Sequence, residues 1–126
     1  NGEYNTLYPL GVEFHIMGTG FTWETQNREA DIEAASAVWQ ESKRMLADPS
    51  YDLVVLDELT YMLAYHYLDT QEVIAAIENR PPRQNVIVTG RGCHSRLLEL
   101  ADTVSELRPV KHAFDSGIQA QVGIDW

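Results

Sequence analysis

Scarcity defines this sequence first. It has one cysteine, Cys93, which rules out an intrachain disulfide and a multi-thiolate metal cluster. Its only lysines are Lys43 and Lys111, and Lys plus Arg number 9 against 19 Asp plus Glu, a formal net charge of -10. That balance argues against a broad nucleic-acid footprint, although backbone N–H groups or a local Arg can still bind a phosphate ligand. No apolar run approaches the roughly 20 residues of a membrane-spanning helix, and no basic-then-apolar leader is present. Repeats and low-complexity stretches are missing too. No Gly-x-x-x-x-Gly-Lys-[Ser/Thr] occurs, so these residues cannot build a phosphate-binding P-loop.

What remains is a 126-residue chain, 44% hydrophobic and 22% charged, the composition of one ordinary globular domain. Val12, Phe14 and Ile16 alternate, which predicts a strand over Gly11–Met17. A helix is expected from about Arg28 to Ala47, with Ile32, Ala35, Val38, Trp39, Met45 and Leu46 inward and Glu33, Glu41 and Lys43 in solvent. Asp48-Pro49-Ser50 ends it. Tyr51–Leu56 reads as a second strand, its run Leu53-Val54-Val55-Leu56 suited to a parallel strand covered on both faces.

A helical piece from Thr60 to about Tyr65 follows. Asp69 and Glu72 then form a plausible capping box for a helix that buries Val73, Ile74 and Ile77 and stops at Asn79-Arg80-Pro81-Pro82. Asn85–Thr89 is a third strand, His94–Ala101 a helix and Thr103–Leu107 a short fourth strand; the tail has little period. Strands separated by helical patterns of this length predict a three-layer α/β domain with a mostly parallel sheet, whose ligands bind beyond the carboxyl ends of the strands.

Three clusters fall at those ends. Leu53-Val54-Val55-Leu56-Asp57-Glu58 has the pattern of a Walker B strand, in which carboxylates face Mg²⁺ and the water or phosphate around it. The plainer reading is a helix N-cap or a surface acid. Two adjacent carboxylates beside a buried strand repel unless a cation or donors offset them, which favours function. In Thr89-Gly90-Arg91-Gly92 the glycines permit a tight backbone and leave the Arg91 guanidinium available for bidentate phosphate recognition; a turn with its Arg in solvent is an even alternative.

Phe21 and Trp23 lie in a Gly/Thr loop that neither helix nor strand burial explains. They either plug a core edge or stack on a flat ligand. Trp39 is expected in the core, Cys93 to pack as a small apolar group, and Tyr61, Tyr65 and Tyr67 to form a part-exposed patch. A Walker B-like strand without a P-loop, in a chain that starts on Asn1, leads us to expect a piece of a longer protein.

Four segments carry a closer resemblance: Gly20-Phe21-Thr22-Trp23-Glu24-Thr25-Gln26, Leu56-Asp57-Glu58-Leu59-Thr60-Tyr61, Thr89-Gly90-Arg91-Gly92, and Glu106 to Phe114. In that order, with the ending Gly123-Ile124-Asp125-Trp126, they closely resemble the bacterial corrinoid adenosyltransferases of the CobA/BtuR type across residues 1–126, read as a single domain. Members of that family begin with a P-loop strand and helix, which this chain lacks.

The resemblance implies a P-loop NTPase-like (RecA-like) fold, a cytoplasmic homodimer, and ATP with Mg²⁺ as co-substrate. It implies transfer of the 5′-deoxyadenosyl group of ATP to the Co(I) of cobalamin or a related corrinoid, with release of triphosphate. Glu58 would be the Mg²⁺-facing carboxylate with Asp57 beside it, and Arg91 a nucleotide contact that stabilises the departing phosphates. Phe21 and Trp23 would occupy the lower face of the corrin ring, displacing its axial ligand. Four-coordinate Co(II) is then easier to reduce, and a flavoprotein is the expected electron donor. No nucleic acid or membrane partner is expected. Two rivals stay open at this level: a recombinase-type P-loop ATPase, which should carry basic loops, and a non-catalytic nucleotide- or corrinoid-binding module.

Overall fold

The computed structural model describes residues 2–14, 27–113 and 117. The chain divides into two compact units, residues 1–15 with 105–126 and residues 16–104.

In the first unit, helix α1 (Gly2–Leu7) runs into a 3-10 turn (Tyr8–Leu10) that opens on Pro9 and closes on Gly11. Gly11 adopts a left-handed φ of 88°, and its N–H donates to the Tyr8 carbonyl at 3.0 Å, which stops the chain from extending the turn. Residues Val12–Phe14 carry no strand, so the described part of the expected Gly11–Met17 strand is corrected. Their alternation has no strand to pair with among the described residues, and period alone does not make a sheet. Thr103–Leu107 is likewise irregular, with Leu107 and Val110 almost fully exposed.

The second unit is α/β. Helix α2 (Arg28–Ala47) starts where Asn27 Oδ1 accepts from the Ala30 N–H at 3.1 Å, with Glu29 and Asp31 in its first turn. Its inward stripe is Ala35, Trp39 and Leu46. The C-terminus is closed by a distant side chain. Gln84 Nε2 donates to the carbonyls of Met45 and Asp48, a second bond for each beside those they accept from the Asp48 and Tyr51 N–H groups.

Strands β1 (Leu53–Leu56) and β2 (Asn85–Val88) pair in parallel with Leu53 opposite Asn85 and Leu56 opposite Val88. Between them lie α3 (Leu59–Ala64) and α4 (Thr70–Glu78), and α5 (Ser95–Leu100) follows β2. The sheet's side-chain alternation decides what is covered. Val54 and Leu56 join a core with Trp39, Leu46, Val73 and Ile77, and Val86 and Val88 pack against it. Leu53, Val55 and Ile87, on the other face, are about half exposed. The run expected to be covered on both faces therefore alternates among the described residues. No helix among the described residues is long and apolar enough to cross a membrane.

Candidate functional site

The carboxyl ends of β1 and β2 place two short loops side by side. Register fixes the pairing: Leu56 lies opposite Val88, so Asp57 and Thr89 are the next residues out, and the Thr89 N–H donates to the Leu56 carbonyl at 3.3 Å. Beyond that rung the chains diverge into Asp57-Glu58 on one side and Gly90-Arg91-Gly92 on the other.

Side chains hold the two loops together. Thr89 Oγ1 donates to Asp57 Oδ1 at 2.7 Å and accepts from the Glu58 N–H at 3.0 Å. Thr60, buried in the first turn of α3, donates from Oγ1 to the Arg91 carbonyl at 3.3 Å. Gly90, at φ 147°, packs so tightly that a Cβ there would run into Thr60 Oγ1. The glycine is therefore required both by its backbone and by the close approach of α3.

Glu58 stands at the N-cap of α3 with φ 58° and ψ 23°, the left-handed region that a non-glycine residue adopts only when its surroundings impose it. Its side chain makes no capping hydrogen bond to α3. Glu58 thus occupies the N-cap position without capping through its carboxylate, and its exposure is equally that of a surface acid. Asp57, Glu58 and Arg91 are all exposed.

The donor set suits a hard cation. Among the described residues no three His, Cys, Asp or Glu side chains converge, so a site with an all-protein ligand shell is not formed there. Mg²⁺ keeps several of its waters and takes one or two carboxylates together with substrate phosphates, which is what Asp57 and Glu58 offer.

The structure therefore brings together Asp57, Glu58 and Arg91 of the expected site residues. Phe21 and Trp23 lie outside the described residues. Cys93 corrects the sequence reading, because it is exposed rather than packed, with its Sγ 3.6 Å from the His94 carbonyl. Partial shielding from water pushes its thiol pKa up. His94 caps α5, its Nδ1 accepting from the Arg96 N–H at 3.1 Å. The tyrosine patch is sorted by burial: Tyr67 is in the core, while Tyr61 and Tyr65 stack with centroids 4.3 Å apart and Tyr65 half exposed. Arg28 sits over the Tyr67 ring and donates to the Tyr65 carbonyl at 2.7 Å.

Sequence reasoning missed the two threonines. Their signal was present, since Thr60 and Thr89 flank the acidic pair and the glycines. A hydroxyl's partners, however, are visible only once β1 and β2 are in register.

In this α/β unit two carboxylates and a glycine-flanked arginine lie at adjacent parallel strand ends, the edge at which open α/β sheets bind ligands. Comparison with known proteins gives the family. The profile of the ATP:corrinoid adenosyltransferase BtuR/CobO/CobP family matches residues 1–126, and the chain belongs to that family. It is 70% identical over all 126 residues to the corrinoid adenosyltransferase CobA of Salmonella typhimurium and 67% identical to the corrinoid adenosyltransferase of Escherichia coli, spanning 64% of each. The corrinoid adenosyltransferase of Pseudomonas aeruginosa is 50% identical over 119 residues, 94% of this chain and 59% of that protein. The chain thus spans less than two thirds of the length of these relatives.

Proposed function

We propose that the protein to which these residues belong is an ATP:cob(I)alamin adenosyltransferase. It transfers the 5′-deoxyadenosyl group of ATP to the Co(I) of cobalamin or a related corrinoid. The observation that carries this reading is the family match across residues 1–126, and the strand-end cluster supports it.

In the reaction, Co(I) supplies an electron pair to C5′ of ATP, forming the cobalt–carbon bond. The C5′–O bond breaks, and triphosphate leaves with the bonding pair. The nucleophile carries no proton, so no general base is needed. This accords with a site built from carboxylates and arginine rather than histidine. Mg²⁺, when bound, neutralises phosphate charge; Glu58, with Asp57 beside it, is the group that would hold it. Arg91 stabilises charge on the departing triphosphate. Phe21 and Trp23 fill the lower corrin face and exclude an axial ligand, so that an external reductant, a flavoprotein by its redox chemistry, can deliver the electron that makes Co(I).

The same reading takes the fold as P-loop NTPase-like, with residues 1–126 contributing to one adenosyltransferase domain that works as a cytoplasmic homodimer. The half-exposed apolar face formed by Leu53, Val55 and Ile87 supports a third layer on that side of the sheet.

The test uses the intact protein and two starting oxidation states. Trp23→Ala is expected to impair adenosylation from Co(II) with reductant far more than from chemically prepared Co(I). Equal loss from both states removes the ligand-displacement role, and absence of adenosylcobalamin from wild-type protein in either assay removes the transferase reading.

A further inference from the structure

The acidic pair is chemically symmetrical in sequence but not in space. One carboxylate oxygen of Asp57 accepts from the Thr89 hydroxyl at 2.7 Å, a distance typical of a hydroxyl bonded to a charged acceptor. Glu58 gives its backbone N–H to the same hydroxyl at 3.0 Å, and its carboxyl is not spent on capping α3. A threonine hydroxyl has one proton and accepts through its lone pairs, so these two bonds are mutually compatible and use its donor completely. They also fix the residue that pays the conformational cost, since Glu58 is one of two non-glycine residues with positive φ among the described residues.

We propose that Thr89 is the positioning residue that divides labour between the two carboxylates: it ties down Asp57 and clamps the left-handed Glu58 backbone, leaving the Glu58 carboxyl as the one that meets Mg²⁺·ATP. This rests on the reading of the strand ends as an Mg²⁺·ATP site. Thr89 itself touches neither nucleotide nor corrinoid in this role. It works as an outer partner does at other metal sites, by orienting a ligand.

The exposure of Thr89 makes the proposal separable from a stability effect. If the hydroxyl is removed, water can satisfy both the Asp57 oxygen and the Glu58 N–H, so the fold loses little while the orientation is lost.

The experiment is calorimetric titration of the intact protein with ATP over a series of Mg²⁺ concentrations, and with ATP in the presence of chelator. Thr89→Val is expected to raise the Mg²⁺ concentration for half-maximal ATP affinity by roughly 10- to 100-fold, the usual effect of losing an outer partner. ATP affinity in chelator should match wild type. Thr89→Ser, which keeps the hydroxyl, should return close to wild type. Asp57→Asn retains an acceptor oxygen for Thr89 and should lose less Mg²⁺ sensitivity than Glu58→Gln.

A wild-type Mg²⁺ response in Thr89→Val overturns the proposal, as does a Thr89→Ser variant no better than Thr89→Val. Equal weakening of ATP with and without Mg²⁺ overturns it as well, because a general loosening of the loops acts that way. Asp57→Asn as damaging as Glu58→Gln abolishes the division of labour. Wild-type ATP binding indifferent to Mg²⁺ removes both this inference and the site reading beneath it. The expected Thr89 pattern without adenosyl transfer to Co(I) would support the inference and remove only the transferase reading.

Discussion

Gly90 shows how one missing side chain can set the geometry of a site. Its backbone lies at φ 147°, and the space where a Cβ would go is filled by the Thr60 hydroxyl. Thr60 is buried and bonded to the Arg91 carbonyl, so it has little room to yield. Gly90→Ala should therefore push the Arg91 turn away from α3, at a cost of roughly 1–3 kcal/mol from overpacking, with further strain from the backbone. We expect a lower melting temperature together with weaker ATP binding in the intact protein. Gly92→Ala is the comparison: Gly92 also has a positive φ, 63°, but a Cβ there meets nothing within 4 Å. Equal effects of the two substitutions would show that backbone strain alone, and not the Thr60 contact, governs the turn. At this scale the sequence was partly legible. Glycines around an arginine announce a special backbone, and Asp57-Glu58 after an apolar run announces a strand-end site. That Thr89 would serve Asp57, and Thr60 would serve Arg91, depends on which strands are neighbours, and no local pattern encodes that.

Among the elements, the α2–α4 contact illustrates how a local expectation can be half right. Asp69 caps α4 as anticipated, its Oδ1 accepting from the Gln71 N–H at 2.9 Å and, more weakly, from Glu72 at 3.5 Å. Glu72 is bound elsewhere: its Oε1 accepts from Trp39 Nε1 at 3.2 Å and pairs with Lys43 Nζ at 2.9 Å. The tertiary partners on α2 outbid the local one because they supply a charge as well as an indole donor. Lys43 first and Trp39 second hold the Glu72 carboxyl below its ordinary pKa, while desolvation opposes them. A carboxylate depressed in the folded state stabilises that state fully above its unfolded pKa, and the contribution fades as pH falls through the folded value. The melting temperature of Glu72→Gln should accordingly lie below wild type near neutrality, and the gap should close as pH falls below the usual glutamate range of about 4.3. A gap that persists unchanged in acid would mean that the carboxylate's charge is not what joins the helices. The same comparison explains the strand errors. Helix stripes and caps are written in nearest neighbours, so α2 and α4 were legible; Val12–Phe14 and Thr103–Leu107 had the composition of strands but no pairing partner among the described residues.

For the whole molecule the governing quantity is charge, and its distribution matters more than its sum. The net charge of -10 leaves only nine basic side chains, and the structure commits several of them internally. Arg28 is bonded to the Tyr65 carbonyl and lies over Tyr67, Lys43 pairs with Glu72, and Arg44 pairs with Glu41. Arg80 donates to the carbonyls of Ile77 and Gln84, and Arg108 is paired with Glu106. A nucleic-acid groove needs cations arrayed along a surface, because binding draws on release of counterions from successive phosphates. A single nucleotide needs only a local cluster, the role proposed for Arg91 and the strand-end loops. The two demands separate a recombinase-type ATPase from an adenosyltransferase by one measurement. Fluorescence anisotropy of labelled single-stranded DNA, titrated with the intact protein at low salt where electrostatic attraction is greatest, should show no saturable binding, and added DNA should leave ATP affinity unchanged. Retention of DNA that weakens steeply with added salt would reveal a phosphate-tracking surface that the pairing of these cations within the chain does not predict. The absence of any DNA effect, together with Mg²⁺-dependent ATP binding, would support the proposed site as one scaled to a single nucleotide.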